Sequence, residues 1–321
     1  MSAVSKRIQL VLRVAVSVGL VLLLVSRLDT ENMARFVRRA DLLLVLITFV
    51  AVLVDRGLMA GRWVVLVEAL DVRAPRLRIL KIFFLSTFFG SFLPSGVGGE
   101  AVRALSFGKL TSRGVESVAS VVMDRLLGLL SMLLAGLLSL SVFYHVYPHP
   151  ALLGVVIASS LLVLAVLALS LSPRVHHWTL SWHSSPWVTQ GVGALARYRN
   201  RMWVLVIVLG MSLVVQLLRI LQAYLLSEAM GLGTDAIYFF CFIPPILIVT
   251  MLPVSIGGWG TANVAYVALF SQVGMDPEGA FVLSVLILAL GVLGNLPGGL
   301  IYAWEGFAAA EPREKPGSSR A

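Results

Sequence analysis

Several ionisable side chains lie inside apolar stretches of this 321-residue chain, where a charge is costly and usually has a function. Glu100 and Arg103 are three residues apart, which places both on the same face of a helix. The guanidinium of Arg103 can hold a phosphate through two parallel hydrogen bonds while the Glu100 carboxylate orients it. This spacing predicts a site for an anionic group; the alternative is an ion pair that only fixes the helix.

Three further charges extend the candidate site. Asp124 and Arg125 are adjacent, so they point to different helix faces and need partners on other helices. Arg125 is expected either to contact a phosphate or to pair with Glu100. Arg219 lies deep in an apolar stretch, so it is expected either to bind an anion or to pair with an aspartate, Asp55 or Asp124.

A motif of the form Leu-Pro-x-x-[Val/Ile]-Gly-Gly occurs at residues 93–99 and again at 252–258, which is 159 residues later. Paired breaks of this kind in two halves of a membrane protein are typical of a transport site between inverted repeats. Glycine leaves amide N–H groups uncovered at the start of the next helix, where the helix dipole attracts an anion. Tight helix turns without a ligand are the alternative. The residues predicted to bind substrate at these breaks are Pro94, Gly98, Gly99, Pro253, Gly257 and Gly258, with Asn263 shortly after the second break.

The elements that position these residues are membrane-spanning helices. The chain is 59% hydrophobic and only 13% charged, with a mean hydropathy of +0.94, which excludes a soluble enzyme. We predict an all-α polytopic membrane protein with two short apolar segments, 79–93 and 237–252, that form re-entrant or broken-helix hairpins in an inverted repeat of halves 42–140 and 202–304. Six full spans are predicted, at residues 8–28, 42–66, 115–140, 151–171, 202–226 and 280–304.

The distribution of Lys and Arg predicts the orientation. With both termini in the cytoplasm, most basic loops fall inside, which agrees with the positive-inside rule and explains the net charge of +9 without nucleic acid. Arg35, Arg38 and Arg39 are the exception, in a loop that we expect to form an interfacial helix. Arg62 is expected to extend to the cytoplasmic headgroups. Residues 1–307 are predicted to form one domain of the cytoplasmic membrane, and residues 308–321 a disordered cytoplasmic tail.

No cofactor or metal is expected. His176, His177 and His183 alternate with tryptophans in a way that is typical of an interfacial aromatic belt, and they lack a supporting acid or cysteine. The sequence contains no phosphate-binding Walker loop, so transport driven by ATP is not expected.

Four segments together resemble one known family. They are Arg62-Trp63, the stretch from Phe88 to Arg103, Asp124-Arg125, and the stretch from Pro253 to Gly260. The chain resembles the flippase-like membrane region of the lysylphosphatidylglycerol synthases (multiple peptide resistance factors), which also occurs as a stand-alone protein. The resemblance implies handling of membrane lipids, with lipid-biosynthesis enzymes as possible partners.

The sequence departs from the family pattern at two places. Ala262-Asn263 stands where the family usually carries Arg-Glu after Gly-Trp-Gly, and Gly128 stands where an acid usually ends the motif that begins at Asp124. The chain has no soluble aminoacyl-transferase domain, so synthesis of lysylphosphatidylglycerol is not expected.

Three functions follow from these observations. The first is a lipid flippase or transporter that binds an anionic phospholipid or polyprenyl-type headgroup in a central polar cavity. The second is a membrane-embedded transferase with Glu100 or Asp124 as base, which product formation from a lipid donor would reveal. The third is a non-catalytic partner in lipid or cell-envelope synthesis, which would tolerate Arg103→Ala.

Overall fold

The computed structural model describes residues 15, 17–92, 98–142, 150–172, 174–175, 178, 186–250, 255 and 257–310. Throughout these ranges the regular structure is helical. Residues 17–25 are helical, and the later helices are α1 (Thr30–Arg39), α2 (Leu42–Glu68), α3 (Arg76–Phe92), α4 (Gly98–Thr111), α5 (Gly114–Val142), α6 (Pro150–Leu171), α7 (Pro186–Ala196), α8 (Met202–Ala229), α9 (Ala236–Thr250), α10 (Thr261–Phe270), α11 (Pro277–Leu293) and α12 (Leu296–Ala310). A short 3₁₀ turn at Arg197–Arg201 joins α7 to α8, and another at Ser271–Val273 follows α10.

Four helical stretches are long and apolar enough to cross a membrane: Leu42–Glu68, Gly114–Val142, Pro186–Ala229 and Pro277–Trp304. Each contains one of the predicted full spans almost completely. The predicted span 151–171 coincides with α6, of which Val156–Leu171 counts as a shorter apolar helix, as does α9. Most of the predicted span 8–28 lies outside the described residues. The all-helical membrane architecture is therefore confirmed.

The last predicted span is not one continuous helix. It divides into α11 and α12 at Gly294 and Asn295. Pro297 has no N–H to donate to the carbonyl of Leu293, so the helical ladder is interrupted at this point. The tail expected from residue 308 is helical as far as Ala310, and residues 311–321 lie outside the described part of the chain.

Ion pairs gather several helix ends on one side of the molecule. Arg201 lies 2.8 Å from Asp71, and Arg197 lies 3.0 Å from Glu116. These contacts bring together the end of α2 and the starts of α5 and α8. We call this side, formed by residues 68–76, 111–116 and 197–202, the basic end.

A second set of contacts defines the other side. The Asp41 N–H donates to the Ala229 carbonyl at 2.8 Å, which places the start of α2 beside the end of α8. The Asp29 N–H donates to Glu278 at 3.3 Å, which attaches α1 to the start of α11. We call this side, formed by residues 29–41, 228–236 and 271–278, the acidic end. The segment that was expected to form an interfacial helix is α1. Asp29 caps its start, and Phe36 packs on α11.

The helices α3 and α4 form a closely packed pair that starts from the basic end. A Cβ atom on Gly99 would lie 2.6 Å from the Ser86 carbonyl oxygen and 3.0 Å from the Gly90 Cα, so only glycine allows this approach. On the other face of α3, a Cβ on Gly298 would overlap the Phe84 carbonyl, which shows that α12 packs equally closely. The pair α9 and α10 starts instead from the acidic end. We call these two pairs the first and the second hairpin.

Candidate functional site

The first group of charges is centred on Asp124 in α5. One carboxylate oxygen accepts from Arg62 Nε of α2 at 2.7 Å, and the other accepts from Arg103 Nη2 of α4 at 3.1 Å. All three side chains are at most 7% exposed. Asp124, Arg62 and Arg103, which we call the Asp124 triad, therefore connect the first hairpin to two candidate spans.

Arg103 is enclosed mostly by aromatic surface. Its guanidinium carbon lies 5.0 Å from the Trp63 ring centroid and 5.3 Å from that of Phe83, so both rings contribute cation–π attraction. Trp63 is itself oriented by a hydrogen bond from its Nε1 to Ser120 at 3.1 Å. Arg103 Nε is buried and has no hydrogen-bond partner. One donor of a fully buried cation is therefore available to a further acceptor.

Arg62 does not extend to the headgroups as the sequence suggested. Besides Asp124 it contacts Ser212 of α8, to which Nη1 donates at 2.9 Å, and the residue is only 5% exposed. The sequence interpretation was wrong because the partners come from two other helices. The spacing held a clue to these partners. Asp55 and Arg62 are seven residues apart on one face of α2, and Ser212 and Arg219 are seven apart on one face of α8, so the two faces can meet at both positions.

Glu100 and Arg103 share a helix, but they have separate partners. The Glu100 carboxylate accepts from Arg125 Nη1 at 2.6 Å, which is one of the two alternatives that the sequence left open for Arg125. The two side chains are 25% and 33% exposed, unlike the triad beside them. The pair therefore lies at the accessible edge of the first hairpin.

A second group of charges lies nearer the start of α2, seven residues before Arg62. The Asp55 carboxylate is 2.7 Å from Arg56 and 3.6 Å from Arg219 of α8, so Asp55 is the aspartate near Arg219. Arg219 Nη2 also donates to the Met59 sulfur at 3.6 Å. The Asp55 Oδ1 atom is buried without a hydrogen-bond partner. Asp55, Arg56 and Arg219, which we call the Asp55 group, form a looser arrangement than the triad.

The Asp55 group is connected to the tip of the first hairpin. Arg56 Nε donates to Asn295 Oδ1 at 2.9 Å, and Asn295 Nδ2 donates to Ser91 Oγ at 2.8 Å. Ser91 is near the end of α3, and Asn295 occupies the break between α11 and α12. A chain of polar contacts thus runs from α2 through this break to the first hairpin.

The glycine breaks differ in detail. Gly98 and Gly99 are the first two residues of α4 and directly precede Glu100. In the second hairpin Gly257 and Gly258 have φ values of 59° and 84°, a left-handed conformation that glycine adopts without strain. Pro94 and Pro253, both predicted to bind substrate, lie outside the described residues.

Asn263 is completely buried and bonded at both ends of its amide. Its Oδ1 accepts from the Gly260 N–H at 2.8 Å, and its Nδ2 donates to Ser284 at 2.6 Å. Its bonds therefore cap α10 and join it to α11. Whether Asn263 also contacts substrate stays a prediction.

The formal charges of these groups do not balance. Two arginines and one aspartate give the Asp124 triad a charge of +1, and the same count gives the Asp55 group +1. The Glu100–Arg125 pair is neutral. An unbalanced charge in a medium of low dielectric constant is costly, so both groups favour an anion nearby.

Two open cavities lie away from these charges. One, of about 710 Å³, is bordered by Glu68 and residues 71–75 at the basic end, and the other, of about 400 Å³, lies between α5 and α7. Among the described residues no three His, Cys, Asp or Glu side chains are grouped so that they could hold a metal ion. His176, His177 and His183 lie outside that part of the chain.

Comparison with known proteins gives one clear result. No curated protein matches the chain. The model of the lysylphosphatidylglycerol synthase TM region matches residues 10–298, which covers both hairpins, the Asp124 triad and the Asp55 group. The resemblance seen in the sequence is therefore confirmed, and the chain belongs to the family of the lysylphosphatidylglycerol synthase TM region.

Proposed function

We propose that this membrane protein binds the anionic headgroup of a lipid at its buried arginines and moves that lipid between the two leaflets. The observation that carries the proposal is the Asp124 triad, in which two buried arginines share one carboxylate. The family, which is defined by the membrane region of a lipid-synthesising enzyme, supports a lipid as the substrate. The proposal includes no covalent step and no cofactor.

Charge balance favours an anionic headgroup over a neutral or cationic one. A lipid phosphodiester carries one negative charge, which equals the excess of the triad. Arg103 Nε lacks an acceptor, so a phosphate oxygen at this position would gain a hydrogen bond without breaking one that Nε already makes. Trp63 and Phe83 leave little room for water beside the guanidinium, so the bond would be strong.

The second charged group extends the route. Asp55 and Arg62 are separated by seven residues of α2, or about 10 Å along the helix. A headgroup that leaves the triad would meet Arg219, whose contacts with Asp55 and Met59 are long at 3.6 Å each. The acyl chains would stay in the bilayer throughout, because only the headgroup needs a polar route.

The two hairpins supply the alternating access in this proposal. We infer that they are inverted repeats that enter the membrane from opposite sides, with the basic end and both termini in the cytoplasm. The triad is closed in the structure, so headgroup entry requires α4, which carries Arg103, to separate from α2 and α5. The glycine breaks at Pro94, Gly98, Gly99, Pro253, Gly257 and Gly258 are proposed to line the route of the headgroup. The glycines would expose backbone N–H groups to it as the hairpins move.

A translocation assay in vesicles tests the proposal. Full-length protein would be reconstituted with a trace of fluorescent phosphatidylglycerol, and its movement between leaflets followed by reduction of the outer dye. We expect faster movement than in protein-free vesicles. Arg103→Gln should slow it by about tenfold or more, because a hydrogen bond to a charged group contributes about 1.5–3 kcal/mol.

Arg78→Gln provides the matched control. Arg78 is an exposed arginine of the same hairpin, so its replacement removes the same charge far from the triad. Its rate should stay within about twofold of wild type, as expected for an exposed charge. The proposal is wrong if the wild-type protein moves anionic lipid no faster than empty vesicles do.

A further inference from the structure

Arg62 lies directly against a residue that has no side chain. A Cβ atom on Gly128 of α5 would be 3.5 Å from both Nη atoms of Arg62, which is an ordinary contact distance. A small side chain would therefore fit here, and a carboxylate would reach the guanidinium. Gly128 has no side chain and therefore no carboxylate, so no negative charge from position 128 compensates Arg62 on this face.

An unused hydrogen-bond acceptor lies one helical turn deeper. Gln216 follows Ser212 by four residues on α8 and is only 5% exposed. Its Nε2 donates to Ser131 Oγ at 3.2 Å, while the Ser131 hydroxyl donates to the Gly128 carbonyl. The Ser131 proton is thus committed, so the amide nitrogen must be the end that faces Ser131. The Oε1 atom of Gln216 is left buried without a partner.

These residues form one seam where α2, α5 and α8 meet. Gly128 and Ser131 are three residues apart on α5, and Ser212 and Gln216 are four apart on α8, so each pair shares a face. Along the seam the headgroup would meet first the cations of the triad and then the neutral acceptor of Gln216. A buried acceptor without a donor costs free energy, so it favours a ligand that supplies an O–H or N–H group.

We infer that this seam recognises an anionic phosphodiester whose headgroup carries a hydroxyl, and that Gly128 is the residue that sets the preference for its charge. The inference rests on the proposed function and specifies its substrate class. The phosphate binds at Arg62 and Arg103, and the hydroxyl donates to Gln216 Oε1. An ammonium headgroup could also donate to that oxygen, but the two nearby guanidinium groups repel it.

The test measures which lipids the full-length protein retains. Vesicles would contain equal amounts of phosphatidylglycerol, phosphatidylmethanol and phosphatidylethanolamine, and retained lipid would be quantified by mass spectrometry after gentle purification. Phosphatidylmethanol has the same charge as phosphatidylglycerol without the hydroxyls. Wild type should prefer phosphatidylglycerol over phosphatidylmethanol by about fivefold, the ratio that one hydrogen bond contributes.

Substitutions at two positions, 128 and 216, separate the charge from the hydroxyl. Gly128→Asp should lower the ratio of phosphatidylglycerol to phosphatidylethanolamine by about tenfold relative to Gly128→Asn, which adds nearly the same volume without charge. Gln216→Leu should remove the preference over phosphatidylmethanol while the preference over phosphatidylethanolamine remains. Gln216→Leu tests the seam independently of any side chain at position 128.

The outcomes distinguish this inference from the proposed function. If wild type retains anionic lipid but both ratios are the same in all variants, the seam does not set specificity and the inference alone fails. If wild type retains no anionic lipid over phosphatidylethanolamine and moves none, the proposed function fails first. Equal retention of phosphatidylglycerol and phosphatidylmethanol by wild type would also overturn the hydroxyl contact.

Discussion

The two hairpins are similar pairs of short helices joined at a glycine break, but their polar side chains differ. The first, residues 76–111, contains six ionisable Lys, Arg and Glu side chains, and the second, residues 236–270, contains no Asp, Glu, Lys or Arg. In the first, Glu100 and Arg103 reach out to α5 and pair there. In the second, Asn263 and Gly260 bond within the hairpin, and Asn263 continues to Ser284 with an uncharged contact.

This difference assigns different tasks to two otherwise comparable elements. A charge buried in a span must find a partner on a neighbouring helix, so its position is coupled to that helix. The Asn263 amide is bonded within the hairpin and to an uncharged hydroxyl of α11, so the second hairpin needs no charged partner. We infer that the side chains of the first hairpin bind the headgroup, whereas those of the second form a scaffold and only its glycine break meets the headgroup. Substitutions in the two hairpins should therefore affect stability and lipid handling differently.

Asp124→Asn should destabilise the protein most. It leaves Arg62 and Arg103 buried without a counter-charge, and breaking a buried pair in this way costs about 3–5 kcal/mol. The free energy of unfolding in mixed micelles, measured by titration with a denaturing detergent, would show the loss. Asp235→Asn, which neutralises an exposed carboxylate just before the second hairpin, is the control and should change little. Equal stability of the two variants would contradict a central role for the triad.

Gly99→Ala and Gly258→Ala should destabilise the two hairpins for different reasons. At Gly99 the new Cβ meets the Ser86 carbonyl at 2.6 Å, so the two helices must separate, at a cost of about 1–3 kcal/mol. At Gly258 the φ of 84° is the problem, which costs about 1–2 kcal/mol.

The same unfolding titration and the translocation assay would compare these two variants. Gly99→Ala should also slow lipid movement, because it displaces α4 and Arg103. Gly57→Ala is the control, since a Cβ there meets nothing within 4 Å. An effect of Gly57→Ala as large as that of Gly99→Ala would argue against close packing as the cause.

The sequence predicted the helices far better than it predicted their partners. Span length and hydropathy are local properties, so the bounds of α2 and α5 were expected almost to the residue. Pairing depends on how each helix is rotated about its axis, which hydropathy does not encode. This is why Arg62 was expected at the headgroups, although Asp124 and Ser212 enclose it.

Some pairings could be predicted from the sequence because few oppositely charged partners were available. Arg125 had either a phosphate or Glu100 to satisfy it, and the second alternative is the one observed. Asn295, just before Pro297, was expected at a kink within the predicted span 280–304, and the helix divides there. The excess of positive charge emerges only when the pairs are known, since the sequence alone does not show which aspartate belongs to which arginine.

Asn263→Ala should lower stability moderately and leave lipid handling unchanged. The substitution removes a helix cap and a buried hydrogen bond, which together contribute about 1–2 kcal/mol. Retained lipid, measured as the ratio of phosphatidylglycerol to phosphatidylethanolamine, should match wild type. A changed ratio would instead support direct contact of Asn263 with substrate and would break the division between the hairpins.

Glu100→Gln should have the smallest effect on stability. Unlike Asn263→Ala, it should change the amount of retained lipid. The Glu100–Arg125 pair is 25–33% exposed, so its loss should cost less than about 1 kcal/mol. The substitution nevertheless removes one negative charge beside the glycine break, which makes the local potential more favourable for an anion. Retention of phosphatidylglycerol should rise by about twofold to fivefold, the range expected for one weakened exposed pair. Glu116→Gln, which removes the partner of Arg197 at the basic end, is the control and should not change retention. A loss of stability at Glu100 without a change in retained lipid would make the first hairpin a scaffold like the second.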